Sequence, residues 1–409
     1  AKGIEVYGHE YAMHFPHHAW PAGRDLKHSA IHDRLVSAGG QMGAYNGWER
    51  ANWFAEAGDD TSEEATQTWA RQGPWEPRVK AECEAVRDDV GVIAIPGFSR
   101  YRVQGLGAAA ALDGLIAGQL PRIGRVGLAY FPDERGRVLT EMSILRDGED
   151  DFLLVTAAAA QWHDFEYLRD RLPMGMPLED VTEESEALLV TGPRARDLLA
   201  PIAEADLARG WLSHQEAVVA GRRVRLARVS FAGELGWEVH AASADVPAVY
   251  DAVIGGGARP FGMFALNSLR LEKGYRAWKG DLSTDYSLLE GGLERFVRFD
   301  KEADFPGRAA LMAEKQRGSS KRFATMTVEG NGYDAPYMST VWKGDEVVGE
   351  TTSAGWGYRV GAQVALGMVR ADCAMPGAQL EIEIFGTRHT ATVRGDGALW
   401  DPENARIRA

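Results

Sequence analysis

Two segments of the chain share one pattern, in which an apolar strand ends at a glycine and a helix follows. The first spans residues 100–108 and turns at Gly105, and the second spans residues 187–195 and turns at Gly192. After each glycine, leucines recur at the spacing of one helical face. Gly192 follows Gly105 by 87 residues. The repeated pattern predicts two related α+β units.

Beyond Asp304 the pattern changes to short segments in which apolar and β-branched residues alternate. The segments are residues 322–328, 340–343, 346–349, 362–369 and 379–385. The step Lys343-Gly344-Asp345 between two of them is typical of a hairpin turn. The last 90 or so residues are therefore predicted to form a separate all-β barrel or sandwich.

The glycines of the first unit also imitate a dinucleotide-binding fingerprint. Gly105, Gly107 and Ala110 have its spacing after a strand. In a dinucleotide-binding unit, a parallel strand with an acidic residue follows the helix. Here two strand-like segments, residues 125–130 and 137–145, follow on either side of a turn. This order favours an α+β unit over a nucleotide-binding one.

The composition indicates a globular protein with two or three domains. The 409 residues are 45% hydrophobic and 25% charged, and their net charge of -14 argues against a nucleic-acid partner. The longest apolar run, residues 152–160, is too short to cross a bilayer, and the N-terminus lacks the apolar stretch of a signal peptide. The two cysteines exclude a disulfide framework. We therefore expect a cytoplasmic protein that does not enter a membrane.

Six of the ten histidines lie within the first 32 residues. A metal site is one interpretation of this cluster. The stretch is, however, interrupted by Pro16 and Pro21 and lacks a His-Glu-x-x-His pattern. We expect residues 1–30 to form a packed lead-in segment that holds no metal ion.

The candidate chemistry rests on two acids in apolar strands. The sequence has no nucleophile elbow, phosphate-binding loop or Cys–His pair, so covalent catalysis is not indicated. Glu141 and Glu238 each lie between apolar neighbours in a predicted strand. A carboxylate in such a place needs a buried ion-pair partner or a ligand with an N–H edge. The pattern alone leaves both interpretations open.

Five separated motifs resemble the folate-binding aminomethyltransferase family, typified by the T-protein of the glycine cleavage system. The motifs are residues 46–54, 136–141, 231–238, 269–275 and 348–357. They are most similar to the folate domain of dimethylglycine and sarcosine dehydrogenases. Residues 5–24 resemble the segment that joins the flavin-dependent oxidase part to the folate part in those fused enzymes. The resemblance covers nearly the whole chain.

The resemblance implies an α+β fold in which two related ferredoxin-like units and a C-terminal β-barrel form a cloverleaf around a central folate channel. Residues 1–30 would be the lead-in segment, residues 31–305 the two interleaved units and residues 318–409 the barrel. The repeated glycine pattern and the late alternation of apolar residues agree with this arrangement.

The resemblance also implies roles for individual residues. Glu141 would be the catalytic acid near the reactive folate nitrogens. Glu238 would bind the polar edge of the pterin, for which a carboxylate facing N–H donors is suited. The other positions implied to bind the cofactor are Tyr275, Phe231, Phe98, Arg228, Thr156 and Trp356. The T-protein has an Arg and an Asn where this chain has Leu266 and Ala157, which points to a different one-carbon donor.

The implied function is tetrahydrofolate-dependent one-carbon transfer during demethylation of a small methylated amine such as dimethylglycine, sarcosine or a betaine. If a flavin-dependent oxidase subunit makes an iminium, the product is 5,10-methylenetetrahydrofolate. If the chain acts alone on a methyl donor, the product is 5-methyltetrahydrofolate. The alternative is a non-catalytic folate-binding assembly or regulatory protein of the same family, and the presence of both Glu141 and Glu238 favours the enzyme.

Overall fold

The computed structural model describes residues 1–12, 14–330 and 332–409. Its helices are α1 (Lys2–Gly8), α2 (His32–Ser37), α3 (Glu63–Thr66), α4 (Glu76–Asp88), α5 (Ala108–Asp113), α6 (Gln161–Arg171), α7 (Ala195–Leu199), α8 (Val246–Gly255), α9 (Met263–Glu272), α10 (Arg308–Arg317) and α11 (Ala405–Arg408). Its strands are β1 (Gly40–Tyr45), β2 (Trp48–Phe54), β3 (Gly91–Ile95), β4 (Ser99–Gln104), β5 (Val126–Pro132), β6 (Val138–Gly148), β7 (Asp151–Thr156), β8 (Leu178–Asp180), β9 (Ser185–Thr191), β10 (Ala203–Glu204), β11 (His214–Val219), β12 (Arg222–Ala227), β13 (Gly236–Ala242), β14 (Arg259–Pro260), β15 (Lys321–Val328), β16 (Thr340–Lys343), β17 (Glu346–Gly357), β18 (Ala362–Arg370), β19 (Gln379–Ile384) and β20 (Thr387–Gly395). No helix in these ranges is long and apolar enough to span a membrane.

Two large sheets and the two-stranded β1–β2 sheet form the first three quarters of the chain. The five-stranded sheet has the order β5-β6-β7-β4-β8, and the seven-stranded sheet has the order β10-β11-β12-β13-β9-β3-β14. In the first sheet β4 runs through Gly105 into α5, and in the second β9 runs through Gly192 into α7. Both glycines have a positive φ, 107° and 133°, which lets the chain turn sharply from strand to helix. The two related α+β units predicted from the repeated pattern are confirmed.

The five-stranded unit is inserted into the seven-stranded one, rather than interleaved with it strand by strand. Strand β3 pairs antiparallel with β9 in the seven-stranded sheet. The next strand, β4, pairs with β7 and β8 in the five-stranded sheet. The chain then returns to the seven-stranded sheet at β9. Strands β4 to β8 thus form one continuous stretch, and only the seven-stranded unit is interrupted, between β3 and β9.

Strand alternation decides which side chains face the space between the sheets. In the five-stranded sheet, Ile144 packs outward against α5 and α6. In the seven-stranded sheet, Trp237 packs outward against α7 and α8. The inner faces meet through Val155 and Ala227. Because successive residues of a strand point to opposite faces, Glu141 and Glu238 lie on the inner faces.

The C-terminal strands close into a barrel of order β15-β18-β17-β16-β19-β20. Strand β15 pairs with both β18 and β20, which closes the ring and leaves no free edge. Its interior is filled by apolar side chains, including Met326, Val341 and Ile382. The predicted all-β domain is confirmed as a barrel, and Leu271 of α9 packs against it.

A buried ion network joins the barrel to the α+β region. The Arg359 guanidinium, after β17, donates to the carboxylates of Glu272 and Glu234, the latter at 3.0 Å. The side chains of all three are at most 1% exposed. Trp400 and Arg406, beyond the last strand, also donate to Glu234, each at 2.7 Å. One arginine thus connects α9, the loop before β13 and the barrel.

We expect the two repeated glycines to differ in their tolerance of a side chain. Alanine at either position must adopt a left-handed φ, which costs on the order of 1–2 kcal/mol. At Gly192 a Cβ atom would also lie 2.3 Å from the backbone oxygen of Asp89, whereas at Gly105 the nearest atom is 3.3 Å away on Pro177. Gly192→Ala should therefore lower the urea unfolding midpoint much more than Gly105→Ala. Equal midpoints would contradict the tight packing of this turn.

Candidate active site

Glu141 lies on β6 directly opposite Tyr130 of β5. Burial raises the pKa of Glu141 to about 7, while the hydrogen bond from Tyr130 and the charge of Arg276 oppose the rise. The charges of Asp281 and Asp164 raise the pKa further. A carboxyl group with this pKa can both take up and release a proton near neutral pH, which suits a general acid or base.

The loop after α9, which carries Arg276, is fixed by a buried aspartate. Asp281 is fully buried and accepts hydrogen bonds from Arg270 at 2.7 Å, Thr352 at 2.6 Å and the backbone N–H of Ala277 at 2.8 Å. These partners come from α9, the barrel and the loop itself. The loop that carries Arg276 is therefore held in place by two domains.

Glu238 lies on β13, on the inner face of the other sheet. Its side chain is 24% exposed, and its Oε2 atom lies 3.1 Å from Nε2 of the buried His240. Burial lowers the pKa of His240, although Glu238 opposes the shift. The Arg100 side chain is buried nearby and donates to the backbone oxygen of Phe98 at 2.8 Å. Burial lowers the pKa of Arg100 to about 10, against the charge of Glu238.

Three predicted aromatic residues supply flat apolar surface. Phe231 and Tyr275 stack with ring centroids 5.7 Å apart and an interplanar angle of 24°. Phe231 is 39% exposed, and burial raises the pKa of Tyr275 to about 12. Phe98 packs between the two sheets, with the Arg50 guanidinium 5.3 Å from its ring centroid. Such faces are suited to a planar heterocycle.

Thr156 occupies a supporting position beside Glu141. Thr156 Oγ1 lies 2.7 Å from Asp164 Oδ2 and 3.1 Å from the backbone oxygen of Glu141. Its hydroxyl therefore ties the end of β7 to β6. Trp356 lies on β17 of the barrel, with the Arg71 guanidinium 4.2 Å from its ring centroid.

Arg228 does not join the group around Glu238. Its guanidinium lies 5.6 Å from the ring centroid of Trp237, on the outward side of the sheet. It donates to the backbone oxygens of Arg209, Arg408 and Ala409, the contact with Arg408 being 3.0 Å. Because it follows inward-facing Ala227 at the end of β12, alternation turns Arg228 outward. The expected contact between Arg228 and the cofactor therefore does not fit this structure.

The sequence pattern did not predict a site role for six residues near Glu141 and Glu238. They are Tyr130, Arg276, Asp281, Asp164, Arg100 and His240. Tyr130 could have been found by pairing the predicted strands around the turn at residues 132–136, since the register places it opposite Glu141. The others depend on contacts between distant segments, for which the sequence pattern gives no signal.

The histidine-rich lead-in brings Asp25, His28 and His32 together, with one donor atom of each within 4.8 Å of the others. The rings of His28 and His32 stack at 4.0 Å with an interplanar angle of 8°. Ring nitrogens bind a metal through lone pairs in the ring plane, and in parallel rings these do not converge on one ion. The stacked arrangement does not favour a metal centre.

The fold and the site define a protein with two interleaved α+β units and a barrel, in which inward-facing carboxyl groups and exposed aromatic faces are suited to a flat, polar heterocycle. Residues 31–301 match the GCVT N-terminal domain, and residues 321–398 match the glycine cleavage T-protein C-terminal barrel domain. The chain belongs to the glycine cleavage T-protein family of aminomethyltransferases. Members of this family bind tetrahydrofolate, which confirms the predicted cofactor.

Curated relatives include longer and similar-sized proteins. Mitochondrial dimethylglycine dehydrogenase of Rattus norvegicus is 30% identical over all of this chain and 48% of its own length, and mitochondrial sarcosine dehydrogenase of Mus musculus is 28% identical over all of this chain and 50% of its length. The chain thus spans about half the length of these relatives. An aminomethyltransferase of Listeria welshimeri is 29% identical over 77% of this chain and 88% of its own.

The fold has a solved counterpart. The crystal structure of glycine cleavage system aminomethyltransferase T from Bartonella henselae superposes with a TM-score of 0.78 at 22% identity, covering 91% of this chain and 97% of the other. At this identity the likeness shows the fold, and it agrees with the predicted combination of two α+β units and a barrel.

Proposed function

We propose that this chain binds tetrahydrofolate and transfers to it a one-carbon unit removed from a methylated amine. The observation that carries the proposal is the Glu141 carboxyl group, hydrogen-bonded to Tyr130 and held at a pKa of about 7 in a protein of a tetrahydrofolate-binding family. A structural ion pair would instead lower the pKa of a carboxyl group.

The residues around Glu238 fit the pterin ring of this cofactor. The pterin presents adjacent N–H donors at its polar edge, and the partly exposed carboxylate of Glu238 can accept from them while His240 holds one of its oxygens. The exposed ring of Phe231, stacked on Tyr275, offers an apolar face to the flat ring system.

The proposed reaction moves protons as well as carbon. Tetrahydrofolate supplies two nitrogen atoms, N5 and N10, that together hold a methylene group. With an N-methylene iminium ion as donor, the overall products are 5,10-methylenetetrahydrofolate and the protonated amine. The two protons lost by the folate nitrogens are the two that the amine nitrogen gains. In this proposal Glu141 transfers a proton between them, and the site shields the reactive carbon from water.

The relatives support an N-methyl amino acid as the source of the carbon. Their names include dimethylglycine dehydrogenase, sarcosine dehydrogenase and, at 29% identity, the formaldehyde-forming 4-methylaminobutanoate oxidase of Paenarthrobacter nicotinovorans. The chain spans only about half of each. We therefore propose that a flavin-dependent oxidase part or subunit makes the iminium ion, and that this chain captures it.

Cofactor binding is tested by calorimetry with tetrahydrofolate. Glu238→Ala removes the charged acceptor for the pterin edge, and a hydrogen bond to a charged group is worth about 1.5–3 kcal/mol. We expect the Kd to rise roughly 10- to 100-fold. Glu216→Ala, at an exposed position on β11 of the same sheet, is the matched control and should bind normally. Absence of binding by the unaltered chain, or unchanged binding by Glu238→Ala, would refute the assignment.

A further inference from the structure

Beside Glu141, the first turn of α6 carries a histidine and a buried aspartate to which the proposed function has assigned no role. His163 Nδ1 lies 2.8 Å from Asp164 Oδ1. The Asp164 side chain is fully buried, whereas 47% of the His163 side chain is exposed. A carboxylate that holds one ring nitrogen fixes the orientation of the imidazole and leaves the other nitrogen free to exchange a proton.

Asp164 is itself held by the strand ends that flank Glu141. Its Oδ2 atom accepts hydrogen bonds from Thr140 at 2.9 Å and from Thr156 at 2.7 Å. Burial raises the pKa of Asp164, while the hydrogen bonds from His163, Thr156 and Thr140 oppose the rise. The two threonines thus leave Oδ1 for the histidine and fix the carboxylate relative to β6 and β7.

Two observations connect this pair with the site of Glu141. The charge of Asp164 acts on Glu141. The His163 ring centroid lies 6.3 Å from that of Trp278, in the loop that contains Arg276. This loop also acts on Glu141, through the charge of Arg276. The His163 ring therefore lies beside the loop whose Arg276 acts on Glu141.

We propose that His163, oriented by Asp164, is the second proton-transfer group of this site. The inference rests on the proposed one-carbon transfer. In that reaction one N–H bond breaks at each of N5 and N10, and each nitrogen forms a bond to the methylene carbon. Both electron pairs of the iminium C=N bond stay on the amine nitrogen, and each takes up a proton, so no oxidant or reductant is needed. Glu141 transfers one of these protons, and Nε2 of His163 transfers the other.

The position of His163 is tested without turnover by chemical footprinting. Diethyl pyrocarbonate modifies exposed imidazole nitrogens, and mass spectrometry measures the rate at each histidine. Tetrahydrofolate should slow the modification of His163 several-fold. His28 is the matched control, because it is 42% exposed and its Nε2 lies 3.5 Å from Asp25, and its rate should not change. If tetrahydrofolate binds but leaves His163 fully reactive, the proposal is wrong.

The role of His163 is tested with two variants. In His163→Asn the amide nitrogen replaces Nδ1 as the donor to Asp164, but the second ring nitrogen is lost. We expect an unchanged unfolding midpoint, an unchanged Kd for tetrahydrofolate and a turnover lower by roughly 100-fold. Added imidazole should restore part of the turnover of His163→Ala, and His28→Ala should remain fully active. Full activity of His163→Asn would overturn the role of His163 alone, whereas failure of the unaltered chain to capture the one-carbon unit would overturn the proposed function as well.

Discussion

Replacement of Glu141 by glutamine is expected to lower turnover by roughly 10²–10⁴-fold, the usual contribution of general acid–base catalysis. Glutamine keeps the shape of the side chain and accepts the hydrogen bond from Tyr130, but it cannot transfer a proton. The Kd for tetrahydrofolate should stay within about threefold, because Glu238, the proposed acceptor for the pterin edge, is on the other sheet. Unequal losses of turnover and affinity separate a catalytic group from a binding group.

The measurement uses a flavin-dependent sarcosine oxidase to supply the one-carbon unit. The unaltered chain should direct this unit into 5,10-methylenetetrahydrofolate, whereas the Glu141→Gln variant should leave it as free formaldehyde. Glu134→Gln is the matched control, since Glu134 is an exposed acid in the turn between the same two strands, and it should behave as the unaltered chain. Equal loss of turnover and affinity would assign Glu141 to binding alone.

The raised pKa of Glu141 gives a second, independent signature. The proton-accepting form is lost as pH falls below about 7, so turnover should decline there, and Glu141→Gln should lack this decline.

Because the folded state binds this proton more tightly than the unfolded state, the contribution of Glu141 to stability falls as pH rises from 4.5 to about 7. The unfolding free energies of the two proteins should therefore diverge across that window.

Replacement of Arg359 by leucine is expected to destabilise the fold by about 3–5 kcal/mol, the cost of leaving a buried charge without its partner. The carboxylates of Glu272 and Glu234 would stay buried after their shared guanidinium is removed. Urea unfolding should show a large decrease in the midpoint. Arg370→Leu is the control, because Arg370 also has two carboxylate partners but lies at the surface, and its midpoint should hardly change. A small effect at Arg359 would mean that the network does not stabilise the fold.

The fold was predictable where the pattern is local. The two strand–glycine–helix steps and the alternation after Asp304 each depend on neighbours in sequence, and each corresponds to an element of the structure. The strand position of Glu141 followed in the same way. Asp164 could not be found, because its hydrogen bonds with Thr140 and Thr156 join three separate elements. The outward position of Arg228 likewise depends on where β12 ends.

The crossing of the chain between the two sheets also bears on how the protein is made. Strand β3, whose residues Gly91–Ile95 are all buried in the finished molecule, leaves the ribosome before its partner β9 has been synthesised. At the usual rate of 5–20 residues per second, the wait lasts roughly 5–20 s. During this time an apolar strand has no partner at either edge, which is the condition for non-native pairing between nascent chains. Cellular yield should therefore depend on chaperones that shield this strand, and a truncation before β9 should aggregate even though all strands of the five-stranded sheet are present.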